Sequence, residues 1–187
     1  MEQQSGESAR GNDTAKARAQ DIPVVGIGAS AGGIPALQEF FEALPGDSSL
    51  AFVVIQHMDP SHESHLQNLL DASRGMEIAQ ATDGVQVEPG HVYTTPSDHF
   101  LRMKDGCLHL EEPFKRNGVR APIDFFFRSL AEDRREKAVC IVLSGSGSDG
   151  TLGLREVRGL GGMAMAQDPV SAEYESMPRH AIDTGLV

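Results

Sequence analysis

Short unbroken apolar runs alternate along this chain with stretches whose apolar residues recur at helical spacing. Ile22-Pro23-Val24-Val25-Gly26-Ile27 reads as a buried strand, because branched side chains pack well on a pleated surface. It runs into the glycine-crowded turn Gly28-Ala29-Ser30-Ala31-Gly32-Gly33. A helix follows, with Pro35 tolerated in its first turn, helical spacing from Ala36 to Leu44, and a stop at Pro45-Gly46. Leu50 to Ile55 predicts a second buried strand, which enters Gln56-His57-Met58-Asp59-Pro60. Ser61 caps a helix expected to reach about Ser73, with Leu66, Leu69 and Leu70 as its apolar stripe. Shorter strands are expected at Met76 to Ala79 and His91 to Thr95, with polar turns at Asp83-Gly84 and Pro89-Gly90.

Phe100 to Met103 and Cys107 to Leu110 flank Lys104-Asp105-Gly106, and Asp-Gly between two strand patterns signals a hairpin. Glu111 to Ala121 is a polar loop holding Lys115, Arg116 and Arg120. Pro122 opens a helix through Ile123, Phe126, Phe127 and Leu130. The apolar run from Lys137 to Leu143 predicts a fully buried strand, which enters Ser144-Gly145-Ser146-Gly147-Ser148-Asp149-Gly150. A helix from Thr151 to about Arg158, a strand over Gly161 to Ala166 and a helical turn from Met177-Pro178 complete the pattern. Strands alternating with helices predict an α/β fold: a single-domain, doubly wound, mainly parallel sheet with an inserted antiparallel hairpin.

In such sheets ligands bind outside the carboxyl ends of the strands. Three buried strands end there in a functional group: Ser30, His57 and Asp149. Hydroxyl, imidazole and carboxylate are the parts of a nucleophile–base–orienter set. Each also has another reading. Gly28 to Gly32 fits the G-x-S-x-G nucleophile turn, while Gly26-x-Gly28-x-x-Ala31 fits a dinucleotide fingerprint. The fingerprint asks for an acidic residue at the end of the second strand, where Gln56-His57 stands. His57 with Asp59, His62 and His65 could form a metal group, but the last two fall on a polar helix face that solvent contact explains. Asp149 alone would serve as the N-cap of the helix from Thr151. Gly145, Gly147 and Gly150 allow backbone N–H groups to face a ligand, so amides near Ala31 and Gly147 are candidate oxyanion donors. His91, His99, His109 and His180 read as solvated.

Composition narrows the field. The 187 residues fit one domain, and an apolar share of 40% with only 5% aromatics implies an aliphatic core. A net charge of −11 argues against a nucleic-acid partner. Met1 to Gln20 has almost no large apolar residue and is expected to be a disordered leader ahead of a catalytic domain over 21–187. Cys107 and Cys140 ask for no oxidising compartment, with Cys140 expected to be a buried thiol. No apolar run is long enough to span a bilayer and the N-terminus has no secretory core, so a cytoplasmic protein without direct membrane insertion is expected. Neither metal nor cofactor is expected.

The motifs together resemble the catalytic domain of the CheB-type chemotaxis protein-glutamate methylesterases. The likeness runs from about Ile22 to Val187 through Gly28-Ala29-Ser30-Ala31-Gly32-Gly33, Gln56-His57-Met58, Leu143 to Gly150, Ala166-Gln167-Asp168 and Ser176-Met177-Pro178. Ala31 and Ser146 stand where that family often has Thr and Met. The order Ser…His…Asp separates the chain from α/β-hydrolases, whose order is Ser…Asp…His. The resemblance implies a triad of Ser30, His57 and Asp149, hydrolysis of glutamate γ-methyl esters, and in some members glutamine deamidation. It implies methylated chemoreceptor cytoplasmic segments as partners. The segments around Ser144 to Arg155 and Met177 to Val187 are similar to members fused to a CheR-type methyltransferase domain, which leads us to expect a piece of a longer protein, truncated at its C-terminus. The competing expectation is a catalytically silent signalling or binding module of the same fold.

Overall fold

A computed structural model describes residues 22–45, 48–56, 75–113 and 120–187. The expected leader, His57, the helix expected from Ser61, and Lys115 and Arg116 lie outside the described residues. The branched residues Val24, Val25 and Ile27 form β1 (Val24–Ala29), buried along its whole length. There follow α1 (Gly33–Ala43), β2 (Ala51–Gln56), β3 (Glu77–Gln80), β4 (Val85–Gln86), β5 (His91–Thr94), β6 (Phe100–Lys104) and β7 (Cys107–Glu111). Then come α2 (Pro122–Arg134), a 3-10 turn (Arg135–Lys137), β8 (Ala138–Val142), α3 (Thr151–Gly159), β9 (Met163–Ala166) and α4 (Ser176–Asp183).

Six strands make one sheet in the order β3-β5-β2-β1-β8-β9, and every neighbouring pair is parallel. β1 sits between β2 and β8, with Ala29 opposite Gln56 and Gly28 opposite Val142. The Asp105-Gly106 turn has φ of 52° and 84°, as a two-residue hairpin needs, and joins β6 to β7. The expected hairpin is in fact three-stranded, because β4 pairs with β7. A two-residue strand carries no periodicity to detect. α1 begins at Gly33, three residues before the helical spacing becomes visible at Ala36.

Helices cover both faces of the sheet. On one, Leu37 and Phe41 of α1 pack with Val25, Ile27, Phe52, Val54 and Ile141, and the rings of Phe40, Phe41 and Phe52 meet edge to face. On the other, Phe126, Phe127 and Leu130 of α2 share a core with Leu154 and Val157 of α3 and with Met177 and Ala181 of α4. Leu101, Met103 and Leu108 join that second core and fasten the antiparallel sheet to it. Each large apolar side chain so buried contributes about 1.5–3 kcal/mol. Cys140 is fully buried, and burial pushes its thiol pKa well up.

Candidate active site

Ser30 follows the last residue of β1, at the carboxyl edge of the central strand. Its carbonyl accepts the Gly33 N–H at 2.9 Å, which closes the turn into α1. Its own N–H donates to the Ser144 carbonyl at 3.0 Å, across to the segment that follows β8. Ser144 is fully buried and joins three stretches of chain. Its hydroxyl donates to the Ala31 carbonyl at 2.9 Å and accepts the Tyr174 N–H at 3.0 Å. Its N–H donates to Gln167 Oε1 at 2.8 Å. Buried hydroxyl and amide groups are costly without partners, so this fully bonded set fixes the Ser30 turn to the glycine segment.

Gly145 lies in the contact between them. Its N–H donates to the Tyr174 carbonyl at 3.0 Å, and its carbonyl accepts the Met177 N–H at 2.9 Å. A Cβ there would fall 2.2 Å from Met177 Sδ and 2.9 Å from Ser30 Cβ. No side chain fits, so the glycine is what lets the two turns meet. Gly147 has φ of 84° and its carbonyl accepts from the Ser176 hydroxyl at 3.1 Å. Among the described residues, no hydrogen bond takes up the N–H of Ala31 or of Gly147.

Asp149 is not the cap of the helix that follows it. α3 has Gly150 at its N-cap with no capping side chain. The carboxylate instead turns to the start of α2, where Oδ2 accepts the Ile123 N–H at 3.1 Å and Oδ1 accepts the Asp124 N–H at 2.9 Å. Oδ1 also accepts the Gly150 N–H at 2.9 Å. Burial pushes its pKa up to about 6, against the pull of the Asp124 and Ile123 N–H groups, and the neighbouring Asp124 charge adds to the rise.

Ser30, Ala31, Gly147 and Asp149 thus lie on two segments that the structure ties together. His57 lies outside the described residues, as do Met58, Asp59, His62 and His65. Gln56, its neighbour in sequence, is registered with Ala29. The histidines expected to be solvated have local partners: His91 with the Pro89 carbonyl and Glu77, His99 with Asp98, His109 with Asp83, His180 with the Ser176 carbonyl. A separate cleft of about 730 Å³ lies where β6 and β7 meet α2, lined by Arg102, Lys104, His109, Ser129 and Asp133 among others, and by none of the expected site residues. Sequence reasoning gave no role to Ser144, Tyr174 or Asp124. Their partners lie 23 or more positions away, beyond the reach of any local pattern.

A family model described as CheB methylesterase matches residues 25–187. A Thermotoga maritima protein named protein-glutamate methylesterase/protein-glutamine glutaminase is 34% identical over 166 residues, which cover 87% of this chain and 48% of that protein. A Leptospira interrogans protein named putative protein-glutamate methylesterase/protein-glutamine glutaminase is 32% identical, across 86% of this chain and 84% of its own. The crystal structure of the Thermotoga maritima CheB methylesterase catalytic domain matches with a TM-score of 0.81 at 33% identity, covering 89% of this chain and 90% of that one. This chain spans about half the length of the Thermotoga maritima and Pseudomonas aeruginosa relatives. A parallel sheet with helices on both faces, a serine turn at the end of its first strand and a match over nearly the whole described chain agree: this chain belongs to the CheB methylesterase family.

Proposed function

We propose that this chain is a serine carboxyl-ester hydrolase that removes methyl groups from glutamate γ-methyl esters, with Ser30 as nucleophile, His57 as base and Asp149 as orienter. The observation that carries the reading is the join between the Ser30 turn and the glycine segment leading to Asp149, through Ser30 N–H to Ser144 carbonyl and Ser144 hydroxyl to Ala31 carbonyl. The assignment of His57 is supported by the register of Gln56 with Ala29, since His57 and Ser30 are the residues that follow those two in sequence. A carboxylate offers about four acceptor sites. Among the described residues three N–H groups occupy Asp149, which leaves one site for the imidazole N–H.

His57 takes the Ser30 proton as the hydroxyl oxygen attacks the ester carbonyl. The tetrahedral oxyanion is met by the N–H groups of Ala31 and Gly147, each such donor contributing about 3–4 kcal/mol in the transition state. Collapse expels methanol, which leaves with the proton from His57. Water, deprotonated by His57, then attacks the acyl-enzyme and releases glutamate and free Ser30. The same acyl-enzyme reached from a glutamine side chain releases ammonia, which accounts for deamidation. No metal or cofactor enters either course. The substrate we assign is the cytoplasmic segment of a methylated chemoreceptor, met in the cytoplasm, with a CheR-type methyltransferase domain in a longer parent chain. Among the described residues no helix is long and apolar enough to cross a membrane.

Ser30→Ala should lower kcat for methanol release by about 10⁴–10⁶-fold, and a serine-reactive phosphonate should label the wild type at Ser30. A well-folded Ser30→Ala variant that releases methanol at the wild-type rate would overturn the nucleophile. A wild type that is neither labelled nor active is the silent binding module instead.

A further inference from the structure

The first turn of a helix has N–H groups with no partner inside the helix, and a side-chain oxygen at the preceding residue usually accepts one. Neither α2 nor α3 has such a residue. α2 follows Ala121 and α3 follows Gly150. Each helix borrows its acceptor from the other. Asp149, just ahead of α3, accepts the N–H groups of Ile123 and Asp124 in α2. Asp124, the third residue of α2, accepts the N–H of Gly153, the third residue of α3, at 2.7 Å. Asp124 is only 7% exposed, so this bond is made away from water. A carboxylate at a helix N-terminus is also favoured by the helix dipole.

We propose that Asp124 is a positioning residue for the reaction: this exchange of carboxylates locks the first turn of α3, and with it the Gly145–Gly150 segment, in register with Ser30. The inference rests on the esterase reading. Asp124 touches no reacting atom. It acts by holding Asp149 and the Gly147 N–H where the hydroxyl, the imidazole and the oxyanion require them. Its loss leaves a buried N–H at Gly153 without an acceptor and frees α3 to shift, and a displacement of about 1 Å can cost about 10²-fold in rate.

An electrostatic signature separates this role from plain support. The Asp124 charge opposes ionisation of Asp149. Arg128 of α2 is the further charge among the described residues that bears on the pair, through Asp124, which it favours in the ionised form. Asp124→Asn keeps an oxygen for the Gly153 N–H and removes the charge. Asp149 should then ionise at lower pH.

The test compares the whole chain with Asp124→Ala and Asp124→Asn. Methanol release is measured on a peptide carrying a glutamate γ-methyl ester, and phosphonate labelling of Ser30 is followed from pH 5 to pH 8. Asp124→Ala, shown folded by circular dichroism, should lose about 10²-fold in kcat with KM changed by less than about threefold. Asp124→Asn should recover about tenfold or more of that loss at pH 8 and move the acid limb of labelling to lower pH. An Asp124→Ala variant with wild-type kcat overturns the proposal, and so does an Asp124→Asn variant whose acid limb is unmoved. If the alanine variant fails to fold, the asparagine variant decides alone. An unlabelled, inactive wild type refutes the esterase reading and this inference together; an active wild type with indifferent variants refutes only the inference.

Discussion

Asp149 accepts three N–H bonds and still titrates near pH 6, because burial outweighs the donors that favour its charged form. A carboxyl raised from 3.8 binds its proton more tightly in the folded chain than in the unfolded one. Its contribution to stability is therefore full below about pH 3.8 and is lost as the pH climbs through about 6. The shift corresponds to an energy of the order of 3 kcal/mol. Calorimetric melting should find the Tm of the wild type, taken relative to Asp149→Asn, higher at pH 5 than at pH 7.5. A gap that does not change with pH would remove the titrating carboxyl from the account. Ionised Asp149 is the form that can hold an imidazolium, so the state the proposed reaction needs is the one that burial disfavours.

The contact between α2 and α3 is decided by one missing side chain. A Cβ at Gly153 would lie 2.5 Å from Phe127 Cβ, so the two helices can close only on hydrogen. Gly159, at the other end of α3, has nothing within 4 Å of the same added atom. Gly153→Ala should cost about 1–3 kcal/mol in urea unfolding, while Gly159→Ala should be neutral or gain up to about 1 kcal/mol. Equal effects at the two positions would show that helix propensity, not contact, governs this element. The elements themselves were largely legible, because runs such as Ala138 to Val142 and the Asp105-Gly106 turn announce their geometry locally. Ser30 and Asp149, the proposed nucleophile and orienter, could be singled out from the segments that follow two buried strands. What stayed hidden was the second use of Asp149, since nothing within reach of Asp149 in sequence says that a helix starting at Pro122 lacks a cap. Asp124 drew no role from the sequence for the same reason.

Across the whole molecule, one sheet divides two cores, with Phe52 buried on the α1 side and Phe127 on the α2 side. Both cores rest on β1, so they should melt together. Phe52→Leu and Phe127→Leu should each cost about 1–2 kcal/mol in a single urea transition, and the double variant should lose their sum to within about 0.5 kcal/mol. Two separable transitions would mean that the faces fold independently. The bond from the Ser144 hydroxyl to the Ala31 carbonyl joins residues 113 positions apart. During synthesis on a ribosome, the segment bearing the serine therefore emerges long before its mate exists. The proposed ester-cleaving centre, built from such distant pieces, would stay inert in every unfinished chain.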